Sequence, residues 1–236
     1  MGPDSLSAIA VIPARGGSKR LPRKALIPFR GEPMIVHSIR AAQDASCFET
    51  VLVSSDDEEI LEIAGKAGAT AYLRPGELAG DDVPTAPVLL DVLEAEAQES
   101  RSWDILACIY ATAPLRTADD INGVVSLIEP GVCHFAMAVT AADRPVHQAL
   151  RQDTTGHLEP VWPDLLNTNS QDAPKFLFGN GTTYAVHVPA FQKTGSLYGP
   201  GLRGYEMPRS RSVDLDTEED LTLLQYYAGR DSSGTQ

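Results

Sequence analysis

Cysteine and basic residues are scarce in this 236-residue chain, and it has no long apolar run. The three cysteines, Cys47, Cys108 and Cys133, are odd in number and lack metal-ligand or redox spacing, so a disulfide framework is not expected. No stretch reaches about 18 apolar residues, and the sequence therefore predicts no membrane-spanning helix. The first seven residues lack the basic and apolar regions of a signal peptide, and a cytoplasmic protein is expected.

The charge balance of the chain is strongly acidic. Its 19 lysines and arginines face 32 aspartates and glutamates, which gives a formal net charge of −13. Proteins that bind nucleic acids or anionic membranes usually carry the opposite balance, so neither kind of partner is expected. Apolar residues make up 43% and charged residues 22%, which is typical of a globular protein whose core needs no disulfide or structural metal.

Short apolar runs alternate with amphipathic stretches over residues 8–140. The pattern predicts strands at 8–12, 50–54, 69–73, 104–110 and 134–140, and helices at 33–45, 56–67, 84–99 and 118–128. Ser55 and Thr117 are the predicted N-caps of the second and fourth helices. This alternation indicates an α/β fold with a mostly parallel, Rossmann-like sheet covered by helices on both faces. Ligands bind beyond the carboxyl ends of such strands, which points to the loops after Ile12, Ser54 and Tyr110.

The alternation loosens between residues 141 and 189, where the only predicted strand is 182–188. We interpret 141–189 as an insertion, either a lid or a partner surface, within a single domain of residues 1–230. A last helix, capped by Thr217 and Asp220, is predicted to end near Ala228. The polar residues 231–236 are predicted to be disordered.

A basic, glycine-containing loop (residues 15–24, the basic loop) follows the first predicted strand. Five of the 19 basic residues fall within its ten positions: Arg15, Lys19, Arg20, Arg23 and Lys24. Gly16 and Gly17 allow a tight turn that brings backbone N–H groups to an anion, and Arg15 and Lys19 can add charge-assisted bonds to phosphate. Because the empty loop would repel itself, a polyphosphate ligand is the expected occupant. The alternative is a solvated basic loop at a sheet edge.

Two alternating aspartates occur near the end of the chain, in residues 212–216 (the aspartate segment). Asp214 and Asp216 alternate with Val213 and Leu215, so an extended backbone would place both carboxylates on one face, about 6–7 Å apart. Such carboxylates repel each other unless a cation or basic groups lie close, and Mg²⁺ takes oxygen ligands of this kind together with substrate phosphates. The alternative is that acidic residues simply favour the start of the following helix.

Two weaker features follow other predicted strands. Asp56 and Asp57 fall where a pocket would open, but an ordinary acidic first helical turn explains them better. Thr112 could bond a ligand and Arg116 could meet an anion, although a plain turn is an equally good interpretation of that loop.

Four segments, in this order, resemble the acylneuraminate cytidylyltransferases, the CMP-sialic acid synthetases and their relatives for other nine-carbon 2-keto acids. They are the basic loop and residues 53–60, 73–78 and 213–220, and the resemblance spans about residues 8–226. Residues 108–114 and 170–174 are similar to the pseudaminic acid enzymes, whereas Gly179-Asn180-Gly181 looks more like the sialic acid branch. Ala25 and Asn169 depart from the asparagine and arginine that are usual in such enzymes.

The resemblance implies the nucleotide-diphospho-sugar transferase type of fold and a CTP-dependent reaction. CMP would pass from CTP to the anomeric hydroxyl of a nine-carbon 2-keto sugar acid, pseudaminic acid or a relative, with release of pyrophosphate. N-acetylneuraminic and legionaminic acids stay open as acceptors. A nucleotidyltransferase for an eight-carbon sugar acid and a non-catalytic nucleotide-binding homologue are the other hypotheses. Mg²⁺ bound by Asp214 and Asp216, and a homodimer formed through the insertion, are also implied.

The resemblance further assigns roles to single residues. Nucleotide binding is implied for Ala14, Arg15, Gly16, Gly17, Ser18, Lys19, Lys24, Arg74 and Asp81. Catalysis is implied for Arg15, Lys19, Asp214 and Asp216. Contact with the sugar is implied for Thr112, Gln171 and Asn180, with Gln171 reaching across the dimer.

Overall fold

The computed structural model describes residues 6–17, 20–169 and 171–232, with residues 231 and 232 described by their backbone alone. Its strands are β1 (Ala8–Pro13), β2 (Pro28–Phe29), β3 (Glu32–Pro33), β4 (Thr50–Ser55), β5 (Thr70–Leu73), β6 (Ile105–Ile109), β7 (Phe135–Ala141), β8 (Leu150–Gln152), β9 (Leu158–Pro160), β10 (Leu177–His187) and β11 (Arg203–Glu206). Its helices are α1 (Met34–Asp44), α2 (Glu58–Lys66), α3 (Thr85–Gln98), α4 (Ala118–Val125), α5 (Val188–Thr194) and α6 (Glu218–Ser232).

Seven strands form the central sheet, in the order β11-β7-β10-β6-β1-β4-β5. Strand β10 is antiparallel to both of its neighbours, and the remaining pairs are parallel. The pairs β2-β3 and β8-β9 lie outside this sheet. The predicted α/β architecture with a mostly parallel sheet is therefore confirmed.

The central strand β1 shows why helices cover both faces of the sheet. Its side chains point alternately to opposite faces, and residues 8–12 are almost completely buried. Ile12 belongs to the core cluster that contains Ile35 of α1 and Ile60 of α2, whereas Val11 belongs to the cluster that contains Leu89 of α3. Burying a side chain of this size stabilises the fold by ~1.5–3 kcal/mol, and β1 contributes to two such clusters at once.

The helix starts agree with the sequence at one position and differ at another. Thr117 caps α4 in a full capping box with Asp120, as predicted. The predicted cap of α2, Ser55, is wrong, because Asp57 occupies that position and accepts hydrogen bonds from the N–H groups of Glu59 and Ile60. The hydroxyl of Ser55 instead accepts the N–H of Asp57, which holds the turn that precedes the helix.

The predicted insertion is shorter in the structure, because β10 belongs to the central sheet. Its residues 183–187 pair with β6, and both ends of the strand pair with β7 across an irregularity between Gly179 and Tyr184. The described residues between 142 and 176, which include the β8-β9 pair, are the part outside the sheet. Helix α6 continues to Ser232, beyond its predicted end, so residues 231 and 232 are helical rather than disordered. Residues 233–236 of the predicted tail lie outside the described residues.

Two further observations concern membranes and thiols. Within the described part of the chain, no helix has the length and apolar character needed to cross a bilayer. All three cysteines are free thiols, and Cys108 and Cys133 are buried.

Candidate active site

A cavity of about 240 Å³ opens at the carboxyl ends of β1 and β6. Its wall combines the basic loop, the segment between β5 and α3, and the loop after β6. The lining residues are Pro13, Ala14, Arg15, Lys24, Ala25, Arg74, Gly80, Asp81, Val83, Thr85, Val88, Tyr110, Ala111 and Thr112. Six of the residues predicted to bind nucleotide or sugar line it together. Five are predicted nucleotide contacts, Ala14, Arg15, Lys24, Arg74 and Asp81, and the sixth is the predicted sugar contact Thr112.

The first turn of the basic loop lies against the start of α2. The N–H of Gly16 donates to the Asp56 carboxylate at 3.0 Å. A Cβ at Gly16 would lie 2.7 Å from an oxygen of Asp57, so only glycine fits this approach. Asp56 therefore has a contact with the basic loop that its interpretation as an ordinary helical turn missed, while Asp57 is the helix cap. Gly17 is exposed, and Ser18 and Lys19 lie outside the described residues, so their roles stay predictions.

Carboxylates from distant parts of the chain neutralise the described basic side chains of the basic loop. Arg15 lies 2.5 Å from Asp81, and Arg20 lies 2.9 Å from Asp216. Lys24 donates to Asp216 at 2.8 Å and to the carbonyl of Leu215 at 3.1 Å. The self-repulsion that the sequence predicts for an empty loop is thus balanced inside the protein.

A further pair involves Arg23, which bonds to Asp57 at 2.9 Å and to Glu59 at 2.7 Å. Arg23 does not line the cavity. Arg74 does, and it is 7% exposed; its guanidinium donates to the Ser54 carbonyl at 2.7 Å and to the Ser54 hydroxyl at 3.2 Å. These bonds fix a positive charge at the carboxyl end of β4.

Apolar anchoring positions the two aspartates of the aspartate segment. Val213 and Leu215 are buried in a core cluster with Leu224 of α6, as their alternation predicts, although the segment is not a β-strand. The carboxylates of Asp214 and Asp216 are therefore held away from this cluster. Neither lines the cavity, but their partners Thr112 and Lys24 do.

Asp214 is bonded to the loop after β6. The hydroxyl of Thr112 donates to its carboxylate at 2.5 Å, and the N–H of Leu215 donates to the Thr112 carbonyl at 2.9 Å. Burial raises the pKa of Asp214, and the Thr112 hydrogen bond and the Lys24 charge oppose that rise. Thr112, predicted as a sugar contact, lines the cavity and also orients Asp214.

Asp216 is more accessible than Asp214 and has a different electrostatic environment. Burial acts to raise the pKa of Asp216, but the hydrogen bond and charge of Lys24 and the charge of Arg20 outweigh it, so that pKa lies below its ordinary value. Asp216 is therefore ionised at neutral pH and shared between two cations of the basic loop.

The other two predicted sugar contacts do not line the cavity. Asn180 is 8% exposed, and its amide is bonded within the protein to Thr182 and to the hydroxyl of Ser212. It thereby joins β10 to the aspartate segment. Gln171 is exposed within residues 142–176 and lies away from the cavity wall. Its predicted role across a dimer stays a prediction.

Arg116, which the sequence suggests could meet an anion, is instead buried beside the site. It is 3% exposed and donates to the carbonyls of Thr182 at 2.6 Å and Tyr110 at 3.3 Å. Burial lowers the pKa of Arg116 to about 10. It is therefore not available to an anion from solvent, but it joins the end of β6 to β10 beside the site.

A family model described as Cytidylyltransferase matches residues 9–143, which include the basic loop, Arg74, Asp81 and Thr112. The chain belongs to the cytidylyltransferase family. The resemblance stated from four sequence motifs is thus confirmed. The part of the chain that matches the cytidylyltransferase model supplies every residue that lines the cavity.

Individual relatives extend this likeness beyond the matched segment. The pseudaminic acid cytidylyltransferase of Campylobacter jejuni is 32% identical over 218 residues, which are 92% of this chain and 94% of that protein. The CMP-N,N'-diacetyllegionaminic acid synthase of Legionella pneumophila is 30% identical over 222 residues, with the same shares covered. The solved structure of a CMP:2-keto-3-deoxy-manno-octonic acid synthetase complexed with CTP matches with a TM-score of 0.73 over 95% of this chain and 99% of that one. At 20% identity, that likeness shows a shared fold.

Proposed function

We propose that this protein transfers CMP from CTP to the anomeric hydroxyl of a nine-carbon 2-keto sugar acid, pseudaminic acid or a close relative. One observation carries the proposal: the cavity at the carboxyl ends of β1 and β6 brings the basic loop, Arg74 and the Thr112–Asp214 pair together. The relatives named for pseudaminic and legionaminic acids, 32% and 30% identical over 92% of the chain, support a nine-carbon acceptor.

The reaction exchanges a phosphoanhydride bond of CTP for a phosphate ester bond to the sugar. The anomeric oxygen bonds to the α-phosphorus of CTP, and the bond from that phosphorus to the oxygen bridging the β-phosphate breaks. Pyrophosphate leaves with the electron pair, and the hydroxyl proton is released to solvent. Such a displacement is accelerated mainly by positioning and by stabilisation of charge. Arg15 and Lys24 would exchange their carboxylate partners, Asp81 and Asp216, for phosphate oxygens.

Magnesium fits the aspartate segment chemically. Asp214 is a partly buried carboxylate that forms no ion pair with the described residues, and a cation would offset the desolvation that raises its pKa. Mg²⁺ takes one or two carboxylates and completes its shell with substrate phosphates and water, which agrees with the finding that no three acidic, histidine or cysteine side chains cluster among the described residues. Asp214 and Asp216 would hold the ion. When bound, it would neutralise charge developing on the phosphates.

A homodimer formed through residues 142–176 is part of the proposal. This segment and the start of β10 expose large apolar side chains: Leu150, Leu158, Val161, Trp162, Leu166, Leu177 and Phe178. Exposed apolar surface of this kind is typical of an interaction site. Leu158→Glu is expected to convert a dimer to a monomer in light scattering, whereas Leu73→Glu, at an equally exposed leucine on the far edge strand, is expected to leave the mass unchanged.

The substrate CTP also bears on location. Because nucleoside triphosphates are cytoplasmic metabolites, we place the protein in the cytoplasm. Recovery of the protein in the extracellular or membrane fraction of cells would contradict this.

Pyrophosphate release tests the reaction directly. The purified protein is incubated with CTP, Mg²⁺ and separate nine-carbon and eight-carbon 2-keto sugar acids, and the CMP-sugar is identified by mass spectrometry. We expect release with pseudaminic acid or a close relative. Release with an eight-carbon acid alone would transfer the protein to that acceptor class, and CTP binding without release for any acid would support a non-catalytic role.

A further inference from the structure

A second cavity, of about 400 Å³, adjoins the aspartate segment. It lies between the end of β7, the start of β10 and residues 209–223. Asp214 lines this second cavity, whereas Thr112 lines the first, and the 2.5 Å hydrogen bond between them joins the two. A molecule in the second cavity and a nucleotide in the first would therefore meet at Asp214.

The charges around the second cavity are unequal. Among its lining residues that the structure describes, Arg209 is the only cation, and Asp143, Asp214 and Asp220 are the acidic side chains. Asp220 is engaged at the start of α6, where it accepts the N–H groups of Asp216 and Thr217. Arg209 lies 2.6 Å from Asp143, and both side chains are about half exposed. The guanidinium thus already binds a carboxylate that is free to move into solvent.

The chemistry of a 2-keto sugar acid limits where its carboxylate can bind. In the ring form, one carbon carries both the carboxylate and the anomeric hydroxyl, so the two groups are separated by only two bonds. The group that binds the carboxylate must consequently lie close to the point where the hydroxyl meets the α-phosphorus. Among the described residues that line the first cavity, the cations are Arg15, Lys24 and Arg74, and the proposed function assigns them to the nucleotide. Arg209 is the cation on the other cavity that contains Asp214.

We propose that the second cavity is the acceptor site and that Arg209 binds the carboxylate of the sugar acid; this inference rests on the proposed function. Arginine binds a carboxylate through two parallel N–H···O bonds, which fixes orientation as well as position. Asp143 occupies the guanidinium until the acceptor replaces it. Phe178, about half exposed at the cavity wall, offers an apolar surface to the sugar ring, and Thr140 offers a hydroxyl.

A neighbouring cavity is less suited to this task. It has a volume of about 290 Å³ and is lined by Arg144 and Lys175, but Asp214 is not part of its wall. A carboxylate bound there would hold the anomeric hydroxyl away from the Thr112–Asp214 pair. The second cavity satisfies both requirements, a cation and contact with Asp214.

Arg209→Gln, compared with Arg203→Gln, tests the assignment. Arg203 is a matched control, since it is similarly exposed, is paired with Glu129 at 3.5 Å, and lies opposite Ala136 near the start of β7, at the other end of the strand from the second cavity. Steady-state rates are measured with the sugar acid that the parent protein uses and with its C1 carboxamide. We expect Arg209→Gln to raise the KM for the acid at least tenfold, to leave the KM for CTP within twofold, and to lose the preference for acid over amide.

The remaining variants and outcomes decide the matter. Arg209→Lys is expected to recover part of the preference for the acid, because it restores charge without the planar fork, and Arg203→Gln should behave like the parent. If Arg209→Gln keeps both the acid KM and the preference of an active parent, the assignment of Arg209 is overturned while the proposed function stands. If the parent releases no pyrophosphate with any sugar acid, the proposed function fails and the assignment falls with it.

Discussion

The basic loop and the aspartate segment are oppositely charged, and the protein holds them in different ways. Arg15, Arg20 and Arg23 have side chains between 34% and 67% exposed, and each is held by carboxylates that also face solvent. Asp214 is partly buried, flanked by the core residues Val213 and Leu215, and bonded to Thr112. Exposed ion pairs contribute only ~0–1 kcal/mol each. The basic loop can therefore exchange partners at little cost, while the aspartate segment keeps its geometry.

The largest effect is expected in the aspartate segment, whose geometry is fixed. Asp214→Asn should reduce magnesium-dependent turnover by about 10³-fold, because it removes the charge placed beside the reacting phosphate, an effect of the size seen when electrostatic stabilisation is lost. The free energy of unfolding should not fall, since the buried charge disappears and the amide can still accept from Thr112. Turnover and thermal unfolding are measured together. Full magnesium-dependent turnover would refute the role assigned to Asp214.

The next effect concerns the ion pair that holds the start of the aspartate segment. Arg211 donates to Asp120 at 2.8 and 2.9 Å, and Asp120 is completely buried at the first turn of α4. Asp120→Asn should destabilise the fold by ~2–4 kcal/mol, because one charge of a partly buried pair loses its partner. The melting temperature should fall by about 4–16 °C. Ser126→Ala, an exposed change on the same α4 region, serves as the control.

The pH dependence of that stability follows from the same pair. Burial acts to raise the pKa of Asp120, but the Arg211 and Thr117 hydrogen bonds outweigh it, so the folded-state pKa lies below the ordinary value. Its stabilising contribution is then complete above the unfolded pKa of about 3.9 and is lost as pH falls through the folded value. Asp120→Asn should therefore flatten the loss of stability below about pH 4. An unchanged acid profile would show that Arg211 contributes no pairing energy.

A smaller effect, on CTP binding, is expected in the basic loop, whose ion pairs can exchange partners. Arg15→Gln should weaken CTP binding by ~1.5–3 kcal/mol, the usual contribution of a hydrogen bond to a charged group. It should leave the melting temperature nearly unchanged, because the pair with Asp81 is one third exposed. Calorimetry with CTP measures the first quantity, and Arg203→Gln is the control. Equal CTP affinity in the parent and in Arg15→Gln would exclude Arg15 from the triphosphate site.

The sequence predicts the strands and helices that form the site better than it predicts which charged side chains pair there. Continuous apolar runs that alternate with amphipathic helices predict buried parallel strands at 8–12 and 104–110, and the cavity lies at the predicted edge of the sheet, where these strands end. The alternation of Val213 and Leu215 also predicts how the aspartates are oriented. These features follow from local patterns of apolar residues.

Partners distant along the chain are harder to predict, because no local pattern encodes them. Arg15 and Asp81 are 66 residues apart, and Lys24 and Asp216 are 192 apart. The buried position of Arg116 likewise depends on carbonyls of two strands that meet only in the folded sheet. The first half of β10 was missed because its residues 177–179 are exposed and lack a buried face.

The smallest effect is expected for Arg23, a cation of the basic loop that lies outside the cavity. Its substitution tests whether only the cations that line the cavity bind the triphosphate. Arg23 is 46% exposed and bonds to Asp57 and Glu59 rather than facing the cavity. Arg23→Gln should change the free energy of unfolding by less than ~1 kcal/mol and CTP affinity by less than about twofold, because exposed pairs contribute little. Denaturant unfolding and calorimetry measure the two quantities. A loss of affinity as large as that of Arg15→Gln would mean that the triphosphate draws the whole basic loop around itself, and that position at the cavity wall does not decide which cations bind it.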